Sequence, residues 1–434
     1  MPYVSIRCKF CIALSVAALW AGISIWLSLP WFYDLSIVVG SWFAGYLVAF
    51  IAIIPGFMNA FVLSSLYIDK RPKLKQVTDY PPVTILVAAF NEALSIEDTI
   101  LSLAGQDYPG EMFIRVINDG STDATSSIVK KFQTIINNLE LVSYEKNQGK
   151  SSALNLGLKS AQTDIVITVD ADCMIKRNGV QKLVLRYLSD PPNTKAVAGE
   201  ILIRNSRENW ITKAQEWDYF LGIASIKRIQ SLFQGTLVAQ GAFSLYDKNT
   251  VMALGGWPKT VGEDIVLTWK ILGAGFRVGH AENACAFTQC PNTLTKFLRQ
   301  RQRWSRGMIE AFKANPAILL RPRLSTFYIW WNLLFPFMDV AYTIGFLPGI
   351  VLALFGKFWI VGPMTLALLP VAAMMNKVML TKSASMFKDE ELKIRSNMSG
   401  FLFYMLAYCM ILQPACVWGY ICEILNLNKK WGTK

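Results

Sequence analysis

The sequence has 434 residues, enough for one globular domain together with several membrane-crossing segments. Hydrophobic residues make up 53% of the chain and the mean hydropathy is +0.34, both high for a purely soluble protein. The formal net charge is +13, but many Lys and Arg residues flank apolar runs, as they do on the cytoplasmic side of membrane helices. This distribution argues against nucleic acid as a partner. The eight cysteines include one C-x-x-C pair, Cys8 and Cys11, but it has no second Cys or His pair near it in the sequence, which argues against a structural zinc site.

Two apolar runs precede the polar middle of the chain. The first, Phe10–Leu29, is followed by Pro30–Tyr33, which is typical of an aromatic membrane interface and lacks the small-residue cleavage site of a signal peptide. The second, Leu35–Tyr67, exceeds the roughly 20 residues that cross a bilayer, so it must tilt, kink or extend further. The basic stretch 69–75 ends it. Residues 1–68 are therefore predicted to form two transmembrane helices, followed by a cytoplasmic domain.

Short apolar runs alternate with helical patterns in the middle of the chain. One helical stretch, Ser121–Asn137, begins with Ser, Thr and Asp, which are common helix-capping residues. Doubly buried strands that alternate with helices predict a mostly parallel sheet covered on both faces, an α/β fold. The predicted strands are Val83–Ala89, Phe113–Ile117, Leu139–Tyr144 and Ile165–Val169.

Acidic and amide side chains follow three of these predicted strands. Asn91 and Glu92 follow the first strand, the stretch 118–123 with Asp119 follows the second, and the stretch 170–172 follows the fourth. In an open α/β sheet, ligands bind beyond the carboxyl ends of the strands. The carboxylates of Asp170 and Asp172 are hard oxygen ligands suited to Mg²⁺ or Mn²⁺. Each acidic residue alone is also explained by a turn or a helix cap, but together they predict a nucleotide and metal site.

The stretch Gly149–Ser151 resembles the end of a P-loop. That motif needs glycine five residues before Gly149, where Tyr144 stands instead. A P-loop nucleotidase is therefore excluded. Lys150 is still expected to contact a phosphate or base from the start of the next helix.

Glu263 and Asp264 precede a predicted helix, Ile265–Leu272. Adjacent carboxylates at this position commonly cap a helix. The alternative is a general base, which must lie within hydrogen-bonding reach of an acceptor hydroxyl. The two interpretations stay open at this point.

A basic helix is predicted over Asn292–Ala314. Gln300, Arg303 and Trp304 share one of its faces, because positions i, i+3 and i+4 are neighbours on a helix. Arginine suits a pyrophosphate and an indole offers a flat surface for a sugar ring. The alternative is a helix lying on the membrane, with basic side chains toward the lipid headgroups. Those side chains are Lys296, Arg299, Arg301 and Arg306.

Three further apolar runs follow, so residues 325–425 are predicted to form about three transmembrane helices. The runs are Phe327–Phe355, Trp359–Leu380 and Gly400–Leu425, with a polar loop at Thr381–Asn397. Five spans in total place the C-terminus outside the cell, whereas the basic tail 428–430 favours the cytoplasmic side.

These motifs, in this order, resemble the processive family-2 membrane glycosyltransferases, which include cellulose, chitin, hyaluronan and poly-β-1,6-N-acetylglucosamine synthases. In chain length and in the residues of these motifs, the similarity is greatest to the poly-β-1,6-N-acetylglucosamine synthases. The resemblance implies a Rossmann-like domain of GT-A type at residues 79–316, inserted between membrane helices. The matching motifs are Ala-Phe-Asn-Glu at 89–92, Asn-Asp-Gly-Ser-Thr-Asp at 118–123, Asn-Gln-Gly-Lys at 147–150, Asp-Ala-Asp at 170–172, Gly-Glu-Asp at 262–264 and Gln-x-x-Arg-Trp at 300–304.

The resemblance also implies a role for each matching residue. Asp264 would be the catalytic base, and Asp172 with Asp170 would hold the metal on the donor diphosphate. Gly241, Gln300 and Trp304 would bind the acceptor. The donor would be bound by Asn91, Glu92, Asp119, Lys150, Asp170 and Arg303.

The sequence departs from the family pattern at two positions. Gly262 stands where the family usually has Thr, which is expected to loosen the turn before Asp264. Gln240 stands where the family often has Ser or Cys, next to the acceptor position Gly241.

The resemblance implies a processive, inverting enzyme that polymerises a UDP-sugar, with UDP-N-acetylglucosamine expected first, and passes the product across the membrane. An alternative is single addition of a sugar to a lipid carrier or sphingolipid. A transporter is disfavoured, because only Asp339 and Glu423 are acidic within the predicted spans. The expected location is the inner membrane, with lipids, the growing polysaccharide and a small membrane accessory protein as partners. The sole histidine, His280, is expected to be structural rather than to contact the acceptor.

Overall fold

A computed structural model describes residues 4–70, 74–362, 365, 368–392 and 396–427. The chain divides into two compact units. Among the described residues, the helical unit comprises those within 4–70, 298–305 and 330–427, and the α/β unit comprises those within 74–297 and 306–329. Residues 71–73 of the basic stretch 69–75 and the tail 428–430, both used in the topology prediction, lie outside the described residues.

The secondary structure alternates along the α/β unit and is helical elsewhere. The helices are α1 (Ile6–Val39), α2 (Ser41–Ile68), α3 (Ile96–Ala104), α4 (Thr125–Gln133), α5 (Lys150–Ser160), α6 (Gly179–Ser189), α7 (Trp210–Trp217), α8 (Ser225–Leu232), α9 (Lys248–Ala253), α10 (Glu263–Gly273), α11 (Leu294–Ala314), α12 (Leu324–Leu354), α13 (Leu368–Asp389) and α14 (Met398–Ile424). The strands are β1 (Val83–Ala89), β2 (Met112–Asp119), β3 (Leu139–Tyr144), β4 (Ile165–Asp170), β5 (Met174–Ile175), β6 (Thr194–Ile203), β7 (Phe243–Asp247) and β8 (Arg277–Thr288).

The strands form one mixed sheet in the order β3-β2-β1-β4-β7-β6-β8-β5. Strands β3, β2, β1 and β4 are parallel to one another. Strand β7 is antiparallel to both of its neighbours, while β6 and β8 are parallel and β5 is antiparallel to β8. Apolar side chains of β1 and β4 are almost completely buried, as expected for strands covered on both faces. Strand β3 at the sheet edge is only partly buried, and Phe113 near the start of β2 is exposed.

The four predicted strands are confirmed, and two of them are longer than predicted. The later part of the sheet is less parallel than the sequence pattern indicates, because β7 enters from the opposite end. The segment just before β7 lies beside the carboxyl end of β4, where the Asp170 amide donates a 3.3 Å hydrogen bond to the Ala242 carbonyl. The chain therefore turns back along β4 in the antiparallel direction.

The predicted helix at Ser121–Asn137 is shorter in the structure, where α4 begins at Thr125. The residues before it form a turn instead. Asp123 accepts hydrogen bonds from the backbone amides of Ala93 at 3.0 Å and Thr125 at 2.9 Å. These polar side chains compete with helical backbone hydrogen bonds, and so they delay the start of the helix.

Among the described residues, four helices are long and apolar enough to cross a membrane: α1, α2, α12 and α14. They match four of the five predicted apolar runs. The fifth run, Trp359–Leu380, includes residues outside the described part of the chain, and α13 is not among the four helices. Helix α13 continues to Asp389, so a helix occupies the first half of the predicted polar loop Thr381–Asn397.

Candidate active site

The register of the parallel strands brings the predicted rim residues to one edge of the sheet. Ala89 at the end of β1 pairs with Asn118 of β2, and Ala88 pairs with Asp170 of β4. The side chains that follow these strands therefore leave the sheet at the same level. This edge is where open α/β sheets bind ligands.

Asn91 joins the loops after β1 and β2. Its φ angle is 56°, in the left-handed region that Asn tolerates better than most residues. Its side-chain oxygen accepts a 2.8 Å hydrogen bond from the Thr122 amide, while its own amide donates to Ser121 Oγ at 3.0 Å. The next residue, Glu92, donates its amide to Thr125 Oγ1 at 2.8 Å. Asn91 thus holds the two loops in register.

Asp119 is buried and fixes the loop that precedes α5. Its two carboxylate oxygens accept hydrogen bonds from the backbone amides of Gln148 and Gly149, both at 2.8 Å. Gly120, with φ +70°, allows the close approach, since an added Cβ would lie 2.6 Å from the Asn147 nitrogen. In this position, Asp119 orients the start of α5 and therefore Lys150.

Lys150 connects the end of β4 with the start of α10. Its Nζ contacts a carboxylate oxygen of Asp170 and lies 3.6 Å from Oε1 of Glu263. Burial alone would lower the pKa of Lys150, but Asp170 and Glu263 raise it above its ordinary value, so the side chain stays protonated. Gly241 lies against this ammonium, because an added Cβ would be only 2.6 Å from Nζ. The Asp-Ala-Asp motif, Gly241 and the Gly-Glu-Asp motif therefore meet around Lys150.

Asp172 lies close to two other carboxylates, those of Asp170 and Glu92. Burial and the nearby carboxylates of Asp170 and Glu92 raise its pKa to about 6. A hard cation that takes one or two protein carboxylates and fills its shell with phosphate and water fits this donor set. Within the described residues, no group of three or more Asp, Glu, His or Cys side chains is arranged to hold a metal by itself.

Glu263 and Asp264 form the first turn of α10. Glu263 is buried, and burial raises its pKa to about 7, although Lys150 opposes this rise. Asp264 is half-buried, and its Oδ1 accepts from the Ile265 amide at 2.7 Å. The helix N-terminus favours negative charge at both residues. The two carboxylates therefore differ, because Glu263 faces Lys150 inside the protein and Asp264 is more accessible.

Gly262 is required by packing, contrary to the expectation of a loose turn. A Cβ at this position would lie 2.5 Å from the Gly307 Cα, and the Gly262 amide donates to Glu310 Oε2 at 2.9 Å. The backbone before α10 thus touches the C-terminal half of α11 directly. The departure from the family's usual Thr is explained by this contact.

We expect Gly262→Thr to destabilise the protein, because the backbone of Gly307 cannot move aside like a flexible side chain. Overpacking of this kind costs about 1–3 kcal/mol. Thermal unfolding of the detergent-purified protein measures the effect. The matched control is Gly273→Ala at the other end of α10, where an added Cβ meets nothing within 4 Å. Equal unfolding temperatures for Gly262→Thr and the control would contradict the packing argument.

Gln300, Arg303 and Trp304 lie on α11, in the segment 298–305 that belongs to the helical unit. Within this unit, the Arg301 guanidinium stacks over the Trp304 ring at 4.3 Å. Arg301 and Arg306 are buried, so the alternative that placed these two side chains toward lipid headgroups is wrong for them. The proximity of Gln300, Arg303 and Trp304 to the rim residues stays a prediction.

Lys227 is not among the site residues predicted from the sequence, where Gln240 stands out only as a departure from the family pattern. Lys227 of α8 contacts the side-chain oxygen of Gln240. A lysine on an amphipathic helix gives no local signal of such a contact, because most such lysines are solvated. His280 is buried, and its Nε2 lies 3.0 Å from Oε2 of Glu200, an arrangement that fits the structural role expected for it.

The chain is similar to several known proteins. The Glycosyl transferase family 2 profile matches residues 84–255. A poly-beta-1,6-N-acetyl-D-glucosamine synthase of Staphylococcus aureus is 31% identical over 289 residues, which cover 64% of this chain and 67% of that protein. An N-acetylglucosaminyltransferase of Rhizobium meliloti is 31% identical over 250 residues, covering 55% of this chain and 58% of that protein.

A solved structure shares the fold. Mannosyltransferase PcManGT from Pyrobaculum calidifontis, in complex with GDP-Man and Mn²⁺, has a TM-score of 0.58 at 19% sequence identity. The match covers 92% of this chain and 100% of that one. The fold expected from the sequence, an α/β domain of GT-A type combined with apolar helices, is confirmed. Because of this family match, together with the mixed sheet and the motifs that meet around Lys150, we conclude that the chain belongs to glycosyl transferase family 2 and is a glycosyltransferase.

Proposed function

We propose that this glycosyltransferase is a processive, inverting polymerase that uses UDP-N-acetylglucosamine to extend a β-linked polysaccharide. The observation that carries the proposal is Lys150, which contacts Asp170 and lies 3.6 Å from Glu263, the neighbour of Asp264. This contact supports a site in which the residues proposed to bind the diphosphate lie close to the proposed base. The donor sugar and the polymeric product are inferred from the similarity to the poly-N-acetylglucosamine synthase.

The chemistry is a single displacement. Asp264 accepts the proton of an acceptor hydroxyl, whose oxygen forms a bond to the anomeric carbon of the donor sugar. The bond from this carbon to the diphosphate breaks, and UDP leaves with the electron pair. One displacement inverts the anomeric configuration. General-base assistance of this kind contributes roughly 10²–10⁴-fold in rate.

The departing diphosphate needs positive charge close to it. Lys150 supplies one charge from the start of α5, and Arg303 is proposed to supply another from α11. A divalent cation held by Asp170 and Asp172, Mg²⁺ or Mn²⁺, would neutralise the diphosphate further. The proposed remaining donor contacts are Asn91, Glu92 and Asp119, of which Asn91 and Asp119 act chiefly by fixing the loops.

The chain is proposed to be a multi-pass protein of the inner membrane with the α/β unit in the cytoplasm. Four apolar helices and the basic residues beside them support this orientation. A hydrophilic polymer cannot cross hydrocarbon unaided, so synthesis next to membrane helices would allow its export. Gly241, Gln300 and Trp304 are proposed to guide the acceptor end.

Membranes that contain the protein are expected to release UDP from UDP-N-acetylglucosamine and to accumulate a long labelled product. Product sizing after incubation with radiolabelled donor checks this. UDP-glucose and UDP-N-acetylgalactosamine serve as donor controls. A product of one sugar on lipid would replace the polymerase proposal with single addition to a lipid acceptor, and absence of UDP release from every donor would contradict both.

A further inference from the structure

Lys227 is a partly buried lysine of α8 whose Nζ contacts Oε1 of Gln240. The Gln240 amide nitrogen in turn donates to the Gly199 carbonyl at 2.7 Å and to the Phe243 carbonyl at 3.3 Å. The side chain of Gln240 is therefore held at both of its polar ends. The ammonium of Lys227 on α8 therefore contacts the segment just before β7.

The same segment is tied to α10 on its other side. The Ala239 amide donates a 3.0 Å hydrogen bond to Thr268 Oγ1, and this hydroxyl donates to the Asp264 carbonyl at 2.6 Å. The Ala239 carbonyl accepts from the Tyr246 hydroxyl at 2.6 Å. One residue after Gln240, Gly241 lies against Lys150. Residues 239–241 are thus linked to the backbone of Asp264 and lie against Lys150.

Nearby carboxylates also link Lys227 to the residues around Asp264. Burial lowers the pKa of Lys227 to about 8, whereas the carboxylates of Glu200 and Asp264 raise it. The ammonium of Lys227 thus lies near the carboxylates of Glu200 and Asp264 and is hydrogen-bonded to Gln240.

We propose that Lys227 is a positioning residue, which acts through Gln240 to hold residues 239–241 so that a sugar hydroxyl, rather than water, meets Asp264. The inference rests on the proposed function, since it assumes an acceptor sugar at this segment. It gives Gln240 a specific task, because the family's shorter Ser or Cys at this position lacks an amide that could accept from Lys227 and donate to Gly199 together.

The test separates sugar transfer from hydrolysis of the donor. In membranes supplied with UDP-N-acetylglucosamine, total UDP release and sugar incorporated into product are measured in parallel. We expect Lys227→Met to lower incorporation about tenfold, the size of a hydrogen bond to a charged group. The donor KM and the rate of UDP release without incorporation should stay near their wild-type values. Lys227→Arg should recover part of the transfer.

A double-mutant cycle tests the route through Gln240. If Lys227 acts through this residue, Gln240→Leu should lower incorporation as Lys227→Met does, and the double variant should lose little more. Lys130→Met, at an exposed site on α4, is the matched control and should behave as wild type.

Two outcomes would overturn the inference while leaving the proposed function intact. One is incorporation by Lys227→Met equal to that of Lys130→Met. The other is an equal fall of incorporation and donor hydrolysis, which would indicate lost donor binding or folding. A wild-type protein that releases no UDP from any UDP-sugar would contradict the proposed function itself, and the inference with it.

Discussion

Asp264→Asn is expected to abolish polymer formation while leaving UDP binding intact. Asparagine has nearly the same shape and can keep the hydrogen bond that Oδ1 accepts from the Ile265 amide, but it cannot accept the hydroxyl proton. The loss should be at least roughly 10²-fold in rate, the lower bound for a general base. Incorporation of labelled sugar by membranes measures the rate, and binding of UDP to the purified protein measures the integrity of the site.

The matched control is Asp98→Asn, which removes a carboxylate paired with Arg204 at an exposed site. Exposed ion pairs contribute little to stability, so this variant should be as active as wild type. Near-normal synthesis by Asp264→Asn would show that another group takes the proton. Glu263 would then be the first alternative, because it is adjacent and ionisable.

Asp172→Asn is expected to lose both sugar transfer and the dependence of UDP binding on Mn²⁺. The change removes one of two carboxylates available to a cation at the end of β4, and hard cations depend on such ligands. Transfer should fall at least roughly 10²-fold, comparable to the loss of a major source of charge stabilisation for the leaving group. Equilibrium binding of UDP with and without Mn²⁺ provides a measurement independent of activity.

Metal removal offers a cross-check. A chelator should lower wild-type transfer to a similar extent and have little further effect on Asp172→Asn. Asp107→Asn, which alters an exposed pair with Arg177, is the matched control and should retain the Mn²⁺ dependence. If Asp172→Asn binds UDP with an unchanged response to Mn²⁺, the cation is held elsewhere.

The sequence alone determined the parallel half of the sheet and the rim of acidic residues. Strands β1 and β3 have their predicted bounds, because each is a short run rich in apolar residues that ends at polar turn residues. Asp170 follows directly from the apolar run of β4. The family could also be recognised, since its motifs are short and lie at these strand ends.

Only the tertiary structure decided which of these groups meet. The direction of β7, the ammonium of Lys150 beside Asp170 and Glu263, and the contact of Gly262 with Gly307 join segments that are tens of residues apart. The pair of Lys227 and Gln240 likewise joins α8 to the segment before β7. Local patterns report burial and backbone preference, which repeat every few residues. Contacts between distant segments depend on how helices and strands pack, and the packing leaves no periodic mark in the sequence.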